Sequence, residues 1–146
     1  MYTDKLLRVS AAQAVTTSAV STDTIDLSVA RDIGEGNDLY MHFTVDETVT
    51  SATGGSTVEF QVIGSTAAAL SSPVVLGSSG AIVKTDLVAG KRIAVRINPQ
   101  IASLGLRYLG ANYVASATLT AGKFTADVVM DIQDGQKFYA SGFKVV

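Results

Sequence analysis

One imidazole, no thiol and a scatter of carboxylates are what this chain of 146 residues offers for chemistry. His42 is the only histidine, and cysteine and tryptophan are absent. A nucleophilic triad would need a carboxylate to orient His42 and a serine held on a sharp turn. The run Gly77-Ser78-Ser79-Gly80 is not Gly-x-Ser-x-Gly, and no strand–turn–helix pattern surrounds it. His42 lies between Tyr40 and Thr44 on the polar side of an alternating stretch. It is therefore expected to be exposed or to face a partner. Asp23, Asp26, Asp32, Glu35 and Asp38 are the best candidates for a hard-cation site, because calcium needs several oxygens converging on one point. Their spacing does not follow the EF-hand pattern, and Asn37 and Asp38 suit a turn. Gly90-Lys91 and Gly122-Lys123 lack the remainder of a phosphate-binding loop. Sugar clefts are lined with aromatics, and this chain has five Tyr, five Phe and no Trp. The expectation is a protein that is not an enzyme, with no catalytic residue, no metal and no cofactor.

The basic groups are the more informative set. Arg92 and Arg96 share one strand face at period two, and Arg107 follows in the next apolar stretch. On an outer face these guanidinium groups offer bidentate donors to a partner's carboxylates. The competing expectation is that they balance acidic residues of the same chain. Lys5, Arg8 and Phe143, near the two chain ends, complete the candidate partner-binding residues. Charge is segregated along the chain. Residues 1–47 carry eight acidic and three basic side chains, and residues 84–146 carry four acidic and eight basic. These regions attract one another within the fold or between copies, or else sit on solvated faces where charge has little energetic consequence. The charged share is 16% and the net charge is −2, which argues against a nucleic-acid partner.

The elements that must position these groups read as strands. Leu39, Met41, Phe43 and Val45 alternate with Tyr40, His42, Thr44 and Asp46, and Phe124, Ala126, Val128 and Met130 alternate with Thr125, Asp127, Val129 and Asp131. Period two puts each set on one face of a sheet. Further strands are expected over 22–29, 57–63 after a Gly54-Gly55 turn, 74–76, 81–87, 91–97 and 106–116. The expected core is Met41, Phe43, Val45, Val58, Phe60, Val62, Ile93, Val95, Leu109, Val128 and Met130. No helix longer than two turns is expected. Many short strands and long central connections predict an all-β, antiparallel β-sandwich with Greek-key connections, a jelly roll. An immunoglobulin-like sandwich is the rival, although its Cys…Trp…Cys signature is missing. One domain over 1–146 is expected, with an extended N-terminal arm over about 1–20 and a C-terminal arm over about 135–146. Residues 1–10 do not have the apolar centre of a secretory leader, and no run approaches the roughly 18–20 apolar residues of a membrane helix, so no membrane partner is expected.

Several pieces of the chain resemble one family. Ala12-Gln13-Ala14-Val15-Thr16, then Ser21-Thr22-Asp23-Thr24-Ile25-Asp26-Leu27 and Arg31-Asp32-Ile33-Gly34, resemble the opening of the jelly-roll capsid cement (decoration) proteins of tailed bacteriophages. Arg107-Tyr108-Leu109 with Asn112-Tyr113, and Thr120-Ala121-Gly122-Lys123-Phe124-Thr125, resemble its later strands. The similarity runs over nearly the whole chain and is weakest over 50–87. It implies an auxiliary protein on the outer surface of an icosahedral head, made in the host bacterial cytoplasm and bridging subunits of the major capsid protein. It also implies a homodimer, with a trimer as the alternative. The competing function is a phage tail, receptor-binding or carbohydrate-binding β-sandwich module.

Overall fold

Alternating burial along the strands builds two antiparallel sheets packed face to face. The computed structural model describes residues 3–30, 32 and 38–130. In chain order the strands are β1 (Arg8–Ala14), β2 (Ala19–Val20), β3 (Ile25–Asp26), β4 (Tyr40–Thr50), β5 (Thr57–Ser65), β6 (Val74–Val83), β7 (Arg92–Arg96), β8 (Tyr108–Ala115) and β9 (Ala121–Val129). The first sheet has the order β1-β9-β4-β7. The second has the order β2-β8-β5-β6, with β3 also paired to β8. Because β2 and β3 occupy the same edge of β8, they act as one interrupted strand. The chain then crosses repeatedly between the sheets, which is the jelly roll expected from the sequence.

Four aromatic rings lock the sheets together. Phe43 on β4 and Phe124 on β9 project from the first sheet, and Phe60 on β5 and Tyr113 on β8 from the second; all four are fully buried. Ring centroids lie 5.2 Å apart for Phe43–Phe60, 5.1 Å for Phe60–Phe124 and 5.2 Å for Tyr113–Phe124. Phe60 meets Phe124 edge-on and Tyr113 stacks on Phe124, the two arrangements that ring quadrupoles favour. Met41, Val45, Val58, Val62, Val95, Leu109 and Val128 surround the rings, all buried.

Two members of the expected core sit elsewhere. Ile93 is only partly buried, because β7 is the edge of its sheet. Met130 is 64% exposed. It lies one residue beyond the last β9 pair, Tyr40↔Val129, so no neighbouring strand is there to cover it. His42 departs in the opposite direction: expected at the surface, it is 1% exposed. It sits on the outward face of β4, in register with Asp127 of β9 and Ala94 of β7, within three consecutive buried residues.

Strand boundaries also differ. The segments expected over 74–76 and 81–87 are one strand, β6, followed by a 3-10 turn over Lys84–Asp86. Gly77 lets β6 run close to β7, since a Cβ there would collide with the Arg96 carbonyl. The Asn98 amide donates to the Leu76 carbonyl at 3.0 Å and closes that seam. At the N-terminus, residues 8–14 and 19–20 belong to the sheets and not to an extended arm. Two bulges break the alternation of β1, and Ala12 takes a φ of 46° while its amide donates to Thr125 Oγ1 at 2.9 Å. Phe143 and the arm expected over about 135–146 lie outside the described residues.

Cutting Phe60 to alanine should therefore cost about 3–5 kcal/mol, whereas Met130→Ala should stay within about 0.5 kcal/mol. Urea unfolding of the two variants checks this, and equal costs would contradict the placement of the core.

Candidate functional site

The outward face of the first sheet carries four of the residues singled out from the sequence, His42, Arg8, Arg92 and Arg96. Because β7 pairs with β4 as Arg96↔Tyr40, Ala94↔His42 and Arg92↔Thr44, Arg92 and Arg96 point to the same outer face as His42. Both arginines are exposed. Arg96 donates from Nη2 to Asp38 Oδ1 at 2.6 Å, and the two side chains are 61% and 44% exposed. Arg92 is also engaged within the chain. The internal balance weighed for these arginines thus holds for Arg96, whose ion pair anchors the entry to β4 against the end of β7.

On the opposite edge, Arg8 of β1 donates from Nε to Asp127 Oδ1 at 2.7 Å. Asp127 is 3% exposed, so this pair is far more sheltered than the others. Truncating Arg8 would leave the Asp127 carboxylate unpaired in a poorly solvated place. Lys5, by contrast, is exposed on a short 3-10 turn, Lys5–Leu7, whose Leu6 amide is capped by Asp4 Oδ1 at 2.9 Å. The rest of the face is polar and internally matched. Thr125 Oγ1 donates to Asp46 Oδ2 at 2.7 Å, and Lys123 Nζ lies 3.0 Å from Glu47.

The carboxylates proposed for a cation do not converge. Asp26 receives Nε and Nη2 of Arg107, each at 2.7 Å, and the Ser28 amide at 2.8 Å. Asp32 Oδ1 accepts from the Ala102 amide at 2.8 Å, and Asp38 holds Arg96. Glu35 lies outside the described residues. Among the described residues, no three acidic or imidazole side chains assemble as a cation site. His42 is too deeply covered for a substrate to reach, although Asp127 stands directly opposite it.

Some polar groups that matter were illegible in the sequence. Across the outer face of the second sheet, Asn112 donates to Gln61 at 2.9 Å, Gln61 to Glu59 at 2.9 Å, and Ser78 to Glu59 at 2.6 Å. This row ties β8, β5 and β6 together. The hydroxyl of Ser78 and the amide of Gln61 hold the Glu59 carboxyl below its ordinary value. Inside the sandwich, burial pushes the Tyr113 phenol upward, so it stays neutral. What the geometry supplies among the described residues is a set of staples between strands.

Asp26 is the strongest of these titrating staples. The Arg107 guanidinium and the Ser28 amide lower its carboxyl from 3.8 to about 2. A depressed carboxyl stabilises the fold above its unfolded value and loses that contribution as pH falls through the folded one. Asp26→Asn should therefore be less stable than wild type above pH 3.8, and the gap should close as pH falls toward about 2. Denaturant unfolding over that range reads it directly, and a gap independent of pH would contradict the assignment.

Comparison with known proteins gives one family. The Bbp16 family model matches residues 9–128, the span from β1 to β9. No curated protein matches the chain.

Proposed function

The chain belongs to the Bbp16 family, and we propose that it is a structural cement (decoration) protein of a bacteriophage head. In this reading it binds the outer surface of the capsid, bridges neighbouring subunits of the major capsid protein and stabilises the shell. It carries out no catalytic turnover. The observation that carries the reading is the topology, β1-β9-β4-β7 over β2/β3-β8-β5-β6, which is the jelly roll implied by the resemblance of residues 12–16, 21–27, 31–34, 107–109, 112–113 and 120–125 to capsid cement proteins. A second support is chemical. Arg8, Arg96, Arg107, Asp26, Asp38 and Asp127 are all paired within the chain, so the charged side chains hold strands in place.

Cementing follows from mass action. A protein that binds the assembled lattice and not the released subunits shifts the equilibrium toward the intact shell. As a homodimer it would present two linked contacts, each raising the local concentration of the other, so modest single interfaces hold firmly. The protein would be made in the host cytoplasm and end on the virion surface. It would need neither nucleic acid nor a membrane as a partner.

The test is to strip phage heads of this protein, add it back, and record the temperature at which they release DNA. The expected result is binding to the heads and a higher release temperature. Failure to bind the heads would sink the reading and favour a tail module.

A further inference from the structure

Beyond its polar row, the outward face of the second sheet turns apolar. Ile63 of β5 and Gly110 of β8 are register partners there, two positions on from Gln61↔Asn112. Ile63 is fully buried, although it belongs to the face turned away from the core between the sheets. The connection from β5 to β6, residues 66–73, lies over this spot. A Cβ on Gly110 would stand 2.5 Å from Leu70 Cδ1 and 2.9 Å from Ser21 Oγ, so the absence of a side chain at Gly110 makes the slot that Leu70 fills. Leu70 is 2% exposed, whereas Thr66, Ala68, Ala69, Ser71, Ser72 and Pro73 are exposed. One side chain therefore plugs the loop into the sheet. Neither Ile63 nor Leu70 belongs to the buried cluster between the sheets, so their contact is a satellite of the core beneath a loop.

The loop is tied at its base and strained at its tip. Ser65 Oγ donates to the Ser71 carbonyl at 2.7 Å and accepts from the Ala67 amide at 3.1 Å, so one hydroxyl joins both arms. The Leu70 amide donates to the Ala67 carbonyl at 3.0 Å. Leu70 takes a φ of 53° and Ser72 one of 48°. Only four residues other than glycine have positive φ among the described residues, and two of them fall in this loop, which contains no glycine. For a side chain as bulky as leucine that conformation is costly, because Cβ crowds the following carbonyl. Pro73 fixes the exit toward β6 and steers Ser72 away from the right-handed helical region. Burial of Leu70 and the two bonds to Ser65 are thus set against backbone strain at two positions.

We propose that residues 66–73 are a sprung flap, which opens and closes over Ile63 and Gly110 while both sheets stay paired. Closing buries Leu70. Opening relieves the backbone at Leu70 and Ser72 and uncovers an apolar slot beside the polar row. The ladder beneath runs unbroken from Val58↔Ala115 to Ser65↔Tyr108 and uses no residue of the flap, so the sandwich has no need to unfold for the flap to move. The proposal does not rest on the capsid reading.

Native-state hydrogen exchange of the full-length protein, read amide by amide by NMR at rising but sub-denaturing urea, tests it. The Leu70 amide should exchange at least about a hundredfold faster than amides of the β5–β8 ladder, at a rate nearly independent of urea, as a small local opening requires. Leu70→Ala removes the plug and should speed exchange at Ala67 roughly tenfold, with the ladder amides unchanged. Ser65→Ala cuts the tie at the base and should speed exchange of the Leu70 amide in the same way. A wild-type Leu70 amide with the rate and urea dependence of the ladder would overturn the proposal, and this reading needs no variant to fold. Leu70→Ala speeding exchange in every strand alike would also overturn it, since the loop would then be a fixed part of the core.

Discussion

Everything in this fold hangs on four rings meeting between two sheets. Phe43 and Phe124 come from the central strands of one sheet, and Phe60 and Tyr113 from those of the other. A sheet alone cannot bury its apolar face, so each exists only because the other covers it. The rings set that contact at the middle of both sheets, where β4, β9, β5 and β8 have neighbours on each side. From there outward, burial declines toward the edges, where Ile93 is only partly covered. Charges then take over from packing. Arg8–Asp127 ties β1 to β9, Asp26–Arg107 anchors β3 beside β8, and Arg96–Asp38 fixes the entry to β4.

Among the described residues, Asp26, Asp38 and Asp127 are held as staples between strands, and His42 is buried inside a strand. Edge strands invite unwanted pairing, yet here the seam between β6 and β7 is closed by Asn98, and the one between β1 and β2 by Gln13, whose side chain donates to the Val20 carbonyl at 2.8 Å.

Much of the fold was legible because period two is a strong signal where strands are regular. Phe43, Phe60 and Phe124 each fall on the apolar side of a clean alternation, and all are core. The signal fails where a bulge intervenes, so β1, with Ala12 at φ 46°, reads as an arm. It fails again where both faces of a strand are covered, as at His42, because alternation assumes one wet face. Met130 fits the pattern perfectly but outruns the end of its sheet. Ion pairs such as Arg8–Asp127 join residues 119 positions apart, which no local spacing reveals. The N-terminal turn was only half legible. Lys5 and Arg8 stand out by charge, while the exposure of Leu6 and Leu7 beside them depends on the 3-10 turn that holds them.

The proposed place of this jelly roll on the outside of a phage head is tested by electron cryomicroscopy of intact particles. The predicted result is density for a two-sheet domain on the outer shell surface. Density found only on the tail would contradict that role.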